Sequence, residues 1–415
     1  MIFNISDFGA VGNGINDDTS AIQTAIDKCH SAGGGQVLLS GNGTYRSGTI
    51  LLRSNIELHI DKGTTLKASD DLNAFNLYGD QKLSNSPISI PTYENCDYDG
   101  CPSMFFLYAA DCSNITISGQ GTIDGNEEIF YGNITPYHID GSFYPRVPMM
   151  FLENIKGLTI KDLTLTRSAF WTVHMIGCAD VTIEELNIKN NLLLANCDGI
   201  DPDHCKNVRI NNCRIESADD CIVFKNTAYG SKYGACEDIT VSGCSLRSTS
   251  AAIKFGTESE DIFRNIHIQN CRIYESNRGI SLQLRDKGSI EEIRFKDITI
   301  DTGYVSKKHW WGDAEPIAIT AVRRKKDSKI GVIRNITFEN IKCNSQNGII
   351  IYGDTTNNID NIIFNNVSVT LKENTEDRRT AIDLRPCEDT PSVPGSSSCF
   401  FSKNAKSIIT ENCSW

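Results

Sequence analysis

The 415-residue sequence predicts an all-β fold: a single-stranded, right-handed parallel β-helix with an N-terminal capping helix. Three observations predict it. A short motif of alternating apolar and polar residues recurs along most of the chain, most copies are 23 to 31 residues apart, and one amphipathic helical segment precedes them all.

The motif opens on a polar residue or Gly and continues with β-branched or aromatic residues at every second position. Asn114-Ile-Thr-Ile, Gly157-Leu-Thr-Ile, Asp180-Val-Thr-Ile, Asn207-Val-Arg-Ile, Asp238-Ile-Thr-Val and Asn265-Ile-His-Ile are six copies, and Glu292, Asn335, Asn361 and Ser407 open four more. Period-2 alternation describes a strand with one face buried, whereas a helix needs a period of 3.6. From Gly157 the starts advance by 23, 27, 31, 27, 27, 43, 26 and 46 residues, so the unit is one coil with loops added at three places. An antiparallel sandwich would show shorter, more regular hairpin spacing. Asn and Cys at equivalent turn positions, as in Asn212-Cys213 and Asn270-Cys271, predict stacked ladders between coils.

A solenoid has open ends that need covering. Asp18-Thr19 is a candidate N-cap for a helix with Ile22, Ala25, Ile26 and Cys29 on one face, stopped by Gly33-Gly34-Gly35. Gly9, Gly12 and Gly14 lack the order and context of a nucleotide loop and read as turn residues. The expected organisation is therefore one domain over 1–415, with the cap and first coil in about 1–45 and loop insertions at 70–103, 124–148 and 302–330. Long loops on a rigid rod are where binding sites are usually built.

Composition narrows the function. Hydrophobic residues make up 40% of the chain, charged residues 22%, and the net charge is -12, which disfavours nucleic acid as a partner because counterion release needs a basic surface. No apolar run approaches the roughly 18 residues of a membrane span. The chain runs straight from Met1 into patterned sequence, so a cytoplasmic location is expected, or a secreted one if a leader has been removed. Cys197, Cys205, Cys213 and Cys221 fall every eight residues, but none of the 16 cysteines forms the paired spacing of a zinc site. Reduced thiols filling a core are the expectation.

Chemistry concentrates in Asn196-Cys197-Asp198 and, 21 residues after Asp198, Asp219-Asp220-Cys221. That step is close to one coil. If Asn196 and Asp198 share the outward face of a strand, Asp219 and Asp220 lie about 4.8 Å up the axis, almost above Asp198. Crowded carboxylates raise one another's pKa, as suits a general acid beside a general base. A pair about 6.5–9.5 Å apart would fit an inverting glycosidase, and a calcium site is the competing reading of the same cluster.

These motifs resemble those of glycoside hydrolase family 28, the polygalacturonases and their relatives. The opening Phe8-Gly9-Ala10-Val11-Gly12-Asn13-Gly14 is similar to that of pectin-degrading, pectin lyase-like β-helices generally. Asn196-Cys197-Asp198 and Asp219-Asp220-Cys221 through Lys225 resemble the family's Asn-x-Asp, Asp-Asp-Cys and downstream Lys. The resemblance implies Asp219 as general acid, Asp198 and Asp220 as holders of the nucleophilic water, and inversion of configuration. Two family motifs are missing. Ala251 stands where Gly-His-Gly has its His, and Ser281 and Gln283 replace the cations of Arg-Ile-Lys.

Losing those cations removes the charge-assisted contacts that select a uronic acid, which implies an enzyme other than a standard polygalacturonase. Lys254 and Arg285 are candidates to replace part of that function, and Gln283 suits neutral hydroxyls. Glu258 is a further candidate substrate contact. Trp310 and Trp311, in the loop that expands one interval to 43 residues, are a candidate stacking wall for a sugar ring, with a subunit interface as the competing reading, so an oligomer stays open. Trp171 and His174, one coil before the aspartates, are read as structural or as wall residues.

The functional expectation is an inverting hydrolase that cleaves an α-glycosidic bond in a pectin-type oligosaccharide or polysaccharide, exo-acting, with no metal or organic cofactor. A polysaccharide lyase on the same fold and a non-catalytic carbohydrate-binding β-helix are the alternatives.

Overall fold

The computed structural model describes residues 1–75, 102–305, 310–372, 381–389, 391–395 and 398–415. Most of the expected insertion at 70–103 lies outside these residues, as do Lys308 and His309.

The coil-to-coil pairings are parallel and, apart from local shifts at Asn13–Asp17, Phe224–Asn226 and Ile273–Ser276, in register, so that Ile183 sits between Ile160 and Ile210, and Phe338 between Phe295 and Phe364. One face of the solenoid is an 11-stranded stack running from Ile50–Leu51 to Phe400–Lys403. The other two faces are parallel columns that merge into one 22-stranded sheet. This is the expected parallel β-helix.

The residues that open the motif explain the turns. Asn114, Asp180, Asn207, Asp238, Asn265, Glu292, Asn335, Asn361 and Ser407 all have φ between 48° and 59°, in the left-handed region that Asn and Asp tolerate best. A left-handed residue turns the chain from one face to the next, and its side chain can then bond to its equivalent on the neighbouring coil. Asn207 Nδ2 donates to Asp180 at 2.6 Å and Asn361 Nδ2 to Asn335 at 2.8 Å. A second ladder follows one turn later, with Asn340 donating to Asp297 and Asn366 to Asn340.

Inside, alternate residues stack on their own kind: Phe295, Phe338 and Phe364 lie face to face with centroids 4.8 and 4.9 Å apart. The cysteines join this core. Cys178, Cys205, Cys213, Cys221, Cys236, Cys244 and Cys271 are buried, and all those described are free thiols. The helix α1, Thr19–Ser31, buries Ile22, Ala25, Ile26 and Cys29 against the first coil. Asp18 departs from expectation: its carboxylate accepts the Val11 and Gly12 amides instead of capping α1, and Asp17 accepts the Thr19 amide.

The insertion at 124–148 is not a bare loop. It forms a short antiparallel hairpin, Tyr131–Thr135 with His138–Gly141, that folds back over the 11-stranded face.

Because Phe338 is wholly buried between two stacked rings, Phe338→Ala should cost about 3–5 kcal/mol of stability. Its outward neighbour Thr337→Ala should stay within about 0.5 kcal/mol. Urea unfolding followed by circular dichroism checks both.

Candidate active site

Four neighbouring strands of the 11-stranded stack carry the candidate site: Val173–Ile176, Ile200–Asp203, Ile222–Asn226 and Ala251–Ser259. Asp198 and Asp220 each precede a strand by two residues, and the register pairs Ile200 with Ile222, so the two aspartates occupy the same position on successive coils. Backbone bonds from the Gly199 amide to the Asp220 carbonyl at 2.9 Å and from the Thr172 amide to the Asp198 carbonyl at 2.8 Å lock that level. Gly199 is required there, because a Cβ would lie 2.4 Å from the Cys221 carbonyl oxygen.

The Asn196–Asp198 segment is a turn, not the expected strand, with Asn196 in the left-handed region at φ 57°. Asn196 therefore does not share a strand face with Asp198. Its backbone N–H instead donates to Asp219 Oδ2 at 3.0 Å, fixing that carboxyl, while Cys197 packs into a small side cluster with Leu194, Ala218 and Trp310.

One carboxyl oxygen from each of Asp198, Asp219 and Asp220 lies within 4.8 Å of the other two. This is tighter than the expected separation of about 6.5–9.5 Å, so spacing alone does not assign the stereochemistry. Burial, then Asp219 and Asp201, push the Asp198 carboxyl well above the usual range. Burial and then Asp220 raise Asp219. Asp201, one strand position beyond the cluster, is fully buried, faces Asp198 and is also pushed well up by burial. The cluster cannot ionise all at once at the ordinary carboxyl pKa, and the strongest shifts fall on Asp198 and Asp201, with Asp219 less affected.

Two lysines hold the cluster together. Lys254 Nζ donates to Asp220 Oδ2 at 2.8 Å. Lys225 Nζ lies 3.5 Å from Asp198, 3.8 Å from Asp201 and 3.6 Å from Glu258, and 3.9 Å over the Trp171 ring. Burial alone would lower the Lys225 ammonium, but Glu258, Asp198 and Asp201 outweigh it and hold it above the usual lysine range. The same balance, with Asp220 and Asp219 prevailing over burial, raises Lys254.

Around these groups is a pocket open to solvent. Its walls bring together Asn196, Asp198, Asp219, Asp220, Lys225, Lys254, Glu258, Trp310 and Trp311, nine of the residues the sequence singled out. Trp171 lines it too, while His174 lies beneath, its ring 4.7 Å from Trp171 and its Nε2 3.2 Å from Asp203.

Three expectations are corrected. Gln283 and Arg285 do not line the pocket. Both are buried, and Arg285 Nη1 donates to the Leu284 carbonyl and to Thr320. Burial and then Arg324 pull the Arg285 guanidinium down to about 9. Trp310 borders the pocket but is only 4% accessible, packed in the side cluster instead of standing as an open stacking wall and anchored by its indole N–H on the Tyr137 carbonyl at 3.0 Å. Sequence reasoning missed His138 and Tyr144, both pocket residues contributed by the 124–148 insertion. The length of that insertion was the only signal, and it carries no register.

The raised carboxyls give a signed prediction. A carboxyl whose folded pKa exceeds its unfolded value binds more protons in the folded state, so stability falls as pH rises through the window between the two. Asp198→Asn removes that cost. The variant should melt about 2–4 °C higher than the parent at neutral pH, with the gain fading as pH falls and gone below about 3.9. Thermal melts across pH check it.

Comparison with known proteins identifies the family. Residues 92–387 match the model of glycosyl hydrolases family 28, and residues 2–133 match that of a rhamnogalacturonase A/epimerase, pectate lyase-like family. A probable polygalacturonase of Vitis vinifera is 27% identical over 312 residues, a match spanning 72% of this chain but 60% of that relative. An endo-polygalacturonase of Pectobacterium carotovorum subsp. carotovorum is 23% identical over 364 residues, spanning 85% of this chain and 84% of the relative. Among solved structures, an exopolygalacturonase from Thermotoga maritima aligns with a TM-score of 0.71 at 22% identity, covering 89% of this chain and 87% of that one, which supports the same fold. With most of its length matched by the family model, the chain belongs to glycosyl hydrolase family 28 and is a glycoside hydrolase.

Proposed function

We propose that this enzyme hydrolyses an α-glycosidic bond at the end of a pectin-type oligosaccharide or polysaccharide, with inversion of configuration. The observation that carries the proposal is the buried, lysine-braced carboxyl cluster facing a walled pocket. Polygalacturonases among the relatives supply the substrate class.

In this reading Asp219 protonates the leaving oxygen. It is the most accessible of the three aspartates, and the Asn196 amide fixes one of its oxygens. Asp198 and Asp220, stacked on adjacent coils, hold a water between them and take its proton as it attacks the anomeric carbon. Lys254, bonded to Asp220, keeps positive charge beside that base. Three carboxyls allow two to share the water while the third serves the leaving group, which is how a compact cluster can support inversion.

Exo action is supported by the two insertions that meet over the site. The Tyr137 carbonyl accepts the Trp310 indole N–H, and the His138 and Trp310 rings lie 5.1 Å apart. A chain running through an open groove would have to pass this clasp, whereas a chain end can enter the pocket beside it.

Proton NMR of the first-formed anomer, during incubation with plant oligosaccharides, tests the proposal. The expected product is the inverted anomer, one terminal sugar at a time, and Asp219→Asn should lower kcat by about 10²–10⁴. A retained anomer would contradict inversion, and release of internal fragments would contradict exo action.

A further inference from the structure

The charge pattern of the pocket says more about its sugar than the family does. Among the described residues, four carboxyl side chains line it, those of Asp198, Asp219, Asp220 and Glu258, against two ammonium groups, Lys225 and Lys254. Both ammonium charges are already countered by carboxyl groups of the protein. Lys254 is bonded to Asp220, and Lys225 lies within 4 Å of three carboxylates with a tryptophan ring against its remaining side. His138 is paired with Asp140 at 3.2 Å. Arg385, near the Trp311 ring, commits Nε and Nη2 to Asp383 at 3.0 and 2.8 Å.

The next coil closes the remaining route. Ser281 is the register partner of Lys254, so a cation reaching the pocket from this coil would stand there or at Gln283. Both side chains are buried. Nearby, Arg278 forms a two-pronged pair with Glu315, Nε to Oε2 at 3.0 Å and Nη2 to Oε1 at 3.1 Å, with Nη1 3.5 Å from Ser281 Oγ. Asn277 donates to the Trp311 and Gly312 carbonyls and ties the covering segment down. The Arg278 guanidinium is thus spent inside the protein.

A uronic acid bound here would lose the hydration of its carboxylate beside an excess of carboxyl groups, with no unpaired cation among the described lining residues to receive it. A neutral ring has no such cost. Its apolar face can pack on Trp311, and its hydroxyls can donate to Glu258 and the aspartates.

We infer that the pocket is a selective site for a neutral pyranose, so the enzyme removes an uncharged terminal sugar and discriminates against a terminal galacturonate. The inference rests on the hydrolase reading for its catalytic consequence but not for its binding consequence. D-Galactose and D-galacturonate differ only at C6, a neutral hydroxymethyl group against a carboxylate, which makes them the sharpest pair.

Two measurements on the full chain test it. In the first, binding of D-galactose, L-rhamnose, D-xylose and D-galacturonate is followed by tryptophan fluorescence. In the second, kcat/KM is compared on oligosaccharides that end in each of these sugars α-linked to a galacturonate. At least one neutral sugar should bind more tightly than galacturonate, and the best neutral terminus should be cleaved at least about 100-fold faster than the galacturonate terminus. Galacturonate bound as well as any neutral sugar, or its terminus cleaved within about 10-fold of the best, would overturn the inference and leave the hydrolase reading intact. Selective neutral binding without turnover of any substrate would do the reverse. Binding of none of the four would overturn this inference.

Discussion

The structure around the pocket depends on one electrostatic constraint: several carboxyl groups on two successive coils of a parallel stack must be kept together. Adjacent coils of such a stack are about 4.8 Å apart, and in-register pairing leaves the side chains little freedom to diverge. Repulsion is offset in two ways. Lys254 and Lys225 place ammonium groups against Asp220 and against Asp198 with Asp201, and burial keeps part of the cluster protonated. The lysines are in turn placed by the same register, Lys225 opposite Asp203 and Lys254 opposite Val223. The rigidity of the solenoid is therefore what stores the strain of like charges, and the backbone bonds at Gly199 and Thr172 are its local fasteners.

Chemistry and selectivity come from different parts of the fold. The coils supply the carboxyls and lysines at fixed heights, while insertions between coils supply Tyr144, His138, Trp310 and Trp311, which shape the entrance. Such a division lets the catalytic level stay constant while the loops and the outward residues of the following coil change what is bound. Ser281, under the Arg278 and Glu315 pair, is a case of such a change written into a strand.

Much of this was legible in the sequence because it is local or periodic. Alternation marks the strands, the residues that open each motif, mostly Asn, Asp and Gly, mark left-handed turns, and a 21-residue step placed Asp219 and Asp220 one coil above Asp198. What stayed hidden depends on contacts between distant segments. Trp310 reads as a loop tryptophan, but its burial is set by a carbonyl 173 residues earlier. Gln283 and Arg285 share alternation with Ser281, yet alternation gives a face and not what covers it, and neither reaches the pocket. The turn at Asn196 looked like strand because its three residues alternate as a strand would, while its left-handed backbone leaves no trace beyond an Asn.

The central claim is that the buried aspartates share protons because the fold forces them together. Carbon-13 NMR of the aspartate carboxyl carbons across pH counts those protons directly, with Asp198→Asn, Asp201→Asn and Asp219→Asn giving the assignments. At least one carboxyl of this group should remain protonated well above the ordinary value of about 3.9 and titrate together with its neighbours. Independent titration of all three near that value would contradict the account.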